Sequence, residues 1–159
     1  MKAQAHATPR VGEFNADELA MTAWSYATAG QCAPALYAAL AESAVREIES
    51  FRPRNLSNIA WAFGSANVPA PELFAAIAVA APKRLADFSP QNLSNLACAF
   101  AMADAKAPAL FAAIAHEASH RLGDFQRQEL AQMSWAYWIA GEDAPAALSD
   151  AIEKRWPER

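Results

Sequence analysis

Apolar positions recur along this chain at the spacing of a helix. Between residues 55 and 64, NLSNIAWAFG, the positions Leu56, Ile59, Ala60 and Phe63 fall three and four residues apart, as on one buried helical face. The pattern is written again as ELAMTAWSYA from residue 18, NLSNLACAFA from residue 92 and ELAQMSWAYW from residue 129, so successive copies start 37 residues apart (18, 55, 92, 129). Flanking positions keep the same step. Phe14, Phe51, Phe88 and Phe125 recur, as do Leu19, Leu56, Leu93 and Leu130, and Pro34, Pro71, Pro108 and Pro145. A fixed period of roughly 20 to 50 residues marks a repeat array, in which each unit is one supersecondary element that buries its apolar face only by stacking on its neighbours. The functional question is therefore about a surface before it is about a pocket.

The punctuation predicts two helices per unit, with units at 14–50, 51–87, 88–124 and 125–159 after an N-terminal extension of residues 1–13. Pro53 opens a first helix, where its missing N–H costs nothing. Asn15 followed by Glu18 forms a capping-box pattern, and Ser89 followed by Pro90 is a second start signal. Gly30, Asn67, Asp104 and Gly141 stand 37 apart, and all tolerate the left-handed conformation found just past a helix end. The prolines at 34, 71, 108 and 145 then start second helices. In the second unit the apolar face of that helix is Leu73, Phe74, Ile77, Ala81 and Leu85, and Pro82 predicts a kink in it. No stretch alternates with period two as a strand does. The expected fold is all-α: an α-solenoid of four helical hairpins, about eight helices, forming a single helical-repeat domain over residues 14–159.

One position departs from the pattern. Ala27, Gly64 and Ala101 place a small residue on each first helix where the next unit packs close, but the fourth unit has Trp138 there. Its second helix also carries Asp150 in place of Ala39, Ala76 and Ala113. Trp138 reads either as part of a terminal cap, which must face water, or as an exposed anchor for another protein.

Composition narrows the class. The chain has 159 residues, 54% hydrophobic and 19% charged, enough to bury a core and unlike a disordered tail. Every apolar run is broken by charges or prolines before the roughly 18 to 20 residues a bilayer span needs, so a soluble protein with no membrane contact is expected. Cys32 and Cys98 occupy non-equivalent positions with no CxxC spacing, which suggests neither a disulfide framework nor a zinc knuckle. The first 13 residues lack a secretory apolar stretch and carry no clear targeting peptide. The formal charge of −4 argues against strong autonomous binding to a phosphate backbone. That charge is uneven, with the first unit at −4 and only the second basic, at +2.

On a helical wheel Arg54, Ser65, Asn58, Ala62 and Asn55 share a polar arc with Trp61 at its edge. Side-by-side stacking turns the equivalents of Asn58 into a row, Met21, Asn58, Asn95 and Gln132, with a second row of Glu18, Asn55, Asn92 and Glu129. Amide side chains offer a donor and an acceptor together and can read a base edge, and helical-repeat readers of single-stranded RNA use two or three such side chains per base. The candidate RNA contacts are thus Asn55, Asn58, Asn92, Asn95, Gln132 and Arg54. The competing reading has Asn58 and Asn95 bonded to turns of the adjacent unit, with Trp24, Trp61 and Trp135 as core between units. Arg46, Lys83 and His120 form a basic row near second-helix ends, where cations complement the helix dipole. Residues 116 to 120, His-Glu-Ala-Ser-His, match HExxH, which would make a zinc metallopeptidase a remote alternative. Gln126 holds the place of the third ligand, however, and the segment aligns with Glu42 to Arg46 and Val79 to Lys83. No catalytic residue, metal or other cofactor is expected.

The stretches FSPQNLSNLACAFA (88 to 101) and LSNIAWAF (56 to 63), set in a helical hairpin of 37 residues, resemble the heptatricopeptide and octotricopeptide repeats of organelle RNA metabolism. Those repeats are related to the ones in RAP-domain and FAST kinase family proteins. The resemblance covers residues 14 to about 154. It implies a non-enzymatic α-solenoid of the mitochondrion or chloroplast that binds single-stranded RNA and supports its processing, stability or translation. A protein-interaction scaffold using the same groove, or the apolar end at Trp138, is the alternative.

Overall fold

Prolines, capping side chains and left-handed turns cut this chain into helical pairs. The computed structural model describes residues 8–155; residues 1–7 of the extension and 156–159 of the fourth unit lie outside the described residues. The four first helices are α1 (Ala16–Thr28), α3 (Pro53–Ser65), α5 (Pro90–Met102) and α7 (Arg127–Ala140). The four second helices are α2 (Pro34–Glu47), α4 (Pro71–Ala80), α6 (Pro108–Ser119) and α8 (Ala146–Arg155). No strand occurs among the described residues, so the fold class is all-α as expected.

The predicted boundaries are set by local chemistry. Asn15 and Glu18 close a reciprocal capping box at α1, at 2.9 and 2.8 Å, and the Ser89 hydroxyl accepts from the Asn92 N–H at α5. Gly30, Asn67, Asp104 and Gly141 all have positive φ, from 50° to 70°. Each first helix ends with the same pair of backbone bonds, as from Asn67 N–H to the Gly64 carbonyl and from Val68 N–H to the Phe63 carbonyl. Pro82 does more than kink its helix. The α-helix stops at Ala80, and Ala81–Asp87 continues as a 3₁₀ segment in which Arg84 leaves helical geometry at φ −138°. A proline ring cannot accept the preceding turn's carbonyl geometry, and the tighter coil is the outcome.

Successive first helices pack along their lengths, α1 on α3, α3 on α5 and α5 on α7, whereas α4 and α6 meet mainly through the turn Ala81–Asp87. Small residues set the close side. A Cβ built on Gly64 would lie 2.8 Å from the Ala99 carbonyl oxygen, so α3 and α5 meet backbone to backbone there. Leu19, Leu56, Leu93 and Leu130 are all fully buried, each worth about 1.5–3 kcal/mol against the entropy of ordering the chain. An edge-on aromatic pair joins each unit to the next: Tyr37 with Phe63, Phe74 with Phe100 and Phe111 with Tyr137, centroids 5.0 to 5.2 Å apart.

Polar bonds fix the register of the stack. Ser57 Oγ donates to the Asn92 carbonyl at 2.9 Å, and one period on Ser94 Oγ shares its proton between the Pro90 carbonyl of its own helix at 2.9 Å and the Glu129 carbonyl at 3.2 Å. Arg121 donates to the carbonyls of Phe88 (2.8 Å) and Ala86 (3.3 Å), and Arg155 makes the matching clamp on Phe125, Leu122 and Gly123. The repeat also reaches into the extension. Val11 is buried in the place of Ile48, Leu85 and Leu122, and its carbonyl accepts from Phe14 N–H as those three accept from Phe51, Phe88 and Phe125. The 3₁₀ segment Thr8–Glu13 thus has the form of the turns that end α2, α4 and α6.

Candidate functional site

The exposed face of each first helix is narrower than a helical wheel suggests. On α3, Arg54, Asn58, Trp61 and Ser65 reach the surface, while Ala62 and Asn55 are buried. Both flanks of α3 are covered by neighbouring first helices, which removes the edges of its arc from solvent. Asn58, Asn95 and Gln132 lie half-buried in one row, with Met21 at the end of the row about half exposed. Their amide groups make no side-chain hydrogen bond among the described residues. The reading in which Asn58 and Asn95 tie units together is therefore replaced by Ser57 and Ser94, whose hydroxyls make those bonds instead. The shared register of the two serines was visible in the sequence, but their small size made the asparagines the more obvious donors.

The second row has a different use. Glu18, Asn55 and Glu129 each fold back to accept the N–H of the residue that caps their own helix, at 2.8, 2.9 and 2.8 Å. Asn55 goes further, donating from Nδ2 to Asp17 Oδ1 of the preceding unit at 2.7 Å. With both ends of its amide engaged and the side chain buried, Asn55 leaves the set of groups open to a ligand. Asn92 differs, because Ser89 takes over the capping; its side chain stays half exposed with no hydrogen bond among the described residues.

Two of the three tryptophans depart from the expected core role, while Trp61 packs against the core. Trp24 and Trp135 are 40% and 42% exposed, and Trp61 is half-buried. Each stands three residues beyond a member of the amide row, one helical turn along the same face. Cys98, the fourth equivalent, is buried, and its thiol donates to the Gln132 carbonyl of the next helix at 3.4 Å. Burial pushes that thiol up to about 11. The structure thus gathers Asn58, Asn95, Gln132, Trp24, Trp61 and Arg54 on one side of the first-helix layer, as planar amides beside aromatic surfaces.

The remaining candidates are drawn into local pairs. Arg46 bonds Glu42 at 3.4 Å and Lys83 bonds Glu49 at 3.2 Å, both exposed and worth little to stability. In the HExxH segment Glu117 pairs with Arg121 at 3.2 Å, and His120 Nδ1 lies 2.7 Å from the His116 carbonyl. The two imidazoles lie edge to face at 4.7 Å. Among the described residues no third His, Cys, Asp or Glu joins them in a group able to hold a metal ion. No helix among them is long and apolar enough to cross a membrane. The sequence matches no known protein-family model, and no curated protein matches it significantly.

Proposed function

We propose that this protein is a non-enzymatic helical-repeat binder of single-stranded RNA, read on the face made by the first helices. The observation that carries the reading is the row of uncommitted amides, Asn58, Asn95 and Gln132, each followed one turn later by Trp61, Cys98 or Trp135. An amide can bond a base edge bidentately while an indole stacks on the base beside it, and stacking contributes about 1–3 kcal/mol per base. The tighter packing of first helices than of second helices supports placing this face on the inner side of a curved array. Organelle RNA, bound to support its processing, stability or translation, is the substrate class that the repeat resemblance implies.

Electrostatics plays a small part in this reading. Over the four first helices the cations are Arg54 and Arg127, and Arg127 donates to the Arg155 carbonyl. With one or two phosphates neutralised, log affinity should fall against log salt with a slope of about −0.7 to −1.4. Binding of fluorescent oligouridine and oligoadenosine, measured at low salt, tests the proposal. The combined substitution of Asn58, Asn95 and Gln132 by alanine should reduce affinity at least tenfold and change stability little. Asn55→Ala should do the opposite, costing about 0.5–2 kcal/mol of stability through its lost cap while sparing RNA affinity. Wild-type protein that retains neither RNA at low salt would remove the basis of the proposal.

A further inference from the structure

We infer that the cleft between the second helices α2 and α4 docks a protein segment that presents an apolar side chain next to a basic residue. This surface lies on the second-helix layer and does not depend on RNA binding. Because α2 and α4 pack more loosely than the first helices do, an open cleft remains between them. The cleft between α2 and α4 has a volume of about 440 Å³, floored by Tyr37, Phe63 and Leu73 and walled by Ala41, Val45 and Val68. A second cleft, between α4 and the turn of residues 103–106 that follows α5, has about 500 Å³ and shares Phe63 and Val68 with the first. Both volumes suit a bound group of side-chain to small-ligand size with mostly apolar walls.

Two observations identify the occupant. The Tyr37 hydroxyl is buried with no hydrogen-bond partner among the described residues, although its ring forms part of the cleft floor. The related buried hydroxyl of Tyr137 is satisfied by the Phe111 carbonyl. The hydroxyl is closed off from the open cleft, so a peptide carbonyl supplies the acceptor that Tyr37 lacks by displacing the side chains that cover it. The rim adds a sign. Glu42 and Glu72 stand at the mouth of the α2/α4 cleft with Arg46, which is paired to Glu42, so one negative charge is left over. The two units that form it carry −4 and +2, a net −2, whereas Asp104 and Lys106 at the second cleft neutralise each other at 2.9 Å. An acidic mouth repels phosphate and attracts a lysine or arginine that flanks an apolar anchor. The occupant is therefore a basic-apolar protein segment and not the RNA backbone.

The full chain labelled with ¹⁵N, titrated with the capped tetrapeptide Ala-Phe-Lys-Ala, tests this, with Ala-Phe-Glu-Ala as control. The lysine peptide should shift the amide signals of Ala38, Ala41 and Ala70 saturably at millimolar concentration, and the glutamate peptide should bind severalfold more weakly. Ala38→Trp, at an exposed position on the cleft wall, should abolish the shifts. Tyr37→Phe, which preserves the packing, should weaken binding roughly fivefold. Glu72→Lys should erase most of the preference for the lysine peptide. Absence of shifts, equal binding of the two peptides, shifts that survive Ala38→Trp, unchanged binding in Tyr37→Phe, or displacement of the peptide by oligouridine would each overturn the proposal.

Discussion

Two buried tyrosines in this molecule have opposite hydroxyl environments. Tyr137 donates to the Phe111 carbonyl, while Tyr37 has no partner among the described residues. Removing a hydroxyl that makes a buried bond costs about 0.5–1.5 kcal/mol, and removing an unsatisfied one relieves a desolvation penalty. Tyr137→Phe should therefore lower the chemical denaturation midpoint, and Tyr37→Phe should leave it unchanged or raise it. Burial raises the pKa of both hydroxyls, and that of the Cys98 thiol to about 11 from 9.0. An acid whose folded pKa is raised contributes stability that is complete below its unfolded value and lost as pH climbs through the folded one. Stability should thus fall between about pH 9 and 11, and the fall should be smaller in Cys98→Ala. Melting curves of the two proteins across that range check the sign.

Helix limits were legible in the sequence because their causes lie within a few residues. The positive φ of Asn67 and Asp104 was implied by their register with Gly30 and Gly141. Both non-glycine residues pay for the left-handed turn with strain, so Asn67→Gly and Asp104→Gly should each stabilise, by up to about 1 kcal/mol, while the alanine variants should destabilise. Thermal unfolding of the four variants checks the order. What the sequence did not disclose is which amide of a polar arc stays open. Asn55 and Asn58 are one turn apart with the same chemistry, yet one is consumed by Asp17 and its own cap and the other is not. That difference depends on how far the neighbouring helix wraps around the flank, a property of packing between units and not of any single window. The exposure of Trp24 and Trp135 was hidden for the same reason, since a tryptophan at helical spacing is as consistent with a seam as with a surface.

Across the whole molecule the stacking surface is repeated until α7, where it changes character. Toward α5, α3 presents Ser57, Trp61 and Gly64, and toward α7, α5 presents Ser94, Cys98 and Ala101; α7 presents Ala131, Trp135 and Trp138 at the equivalent positions. The hydroxyl that would bond a following helix is gone. The place of Gly64, where even an added Cβ would come within 2.8 Å of the Ala99 carbonyl oxygen, is taken by an indole that is 75% exposed. A further unit could not seat on α7 with the geometry of the others, because a side chain of that size cannot be accommodated at backbone contact distance. The outer face of α7 is accordingly expected to stay in water, with Trp138 bordering a shallow cleft together with Ala131, Ser134 and Ile152. Trp138→Ala should then change stability by no more than about 0.5 kcal/mol and leave the mass in solution unaltered. Light scattering at increasing concentration decides between this and a docking role. A wild-type dimer that becomes a monomer in Trp138→Ala would identify the indole as an anchor between copies, since a residue that only covers its own helix has no effect on association.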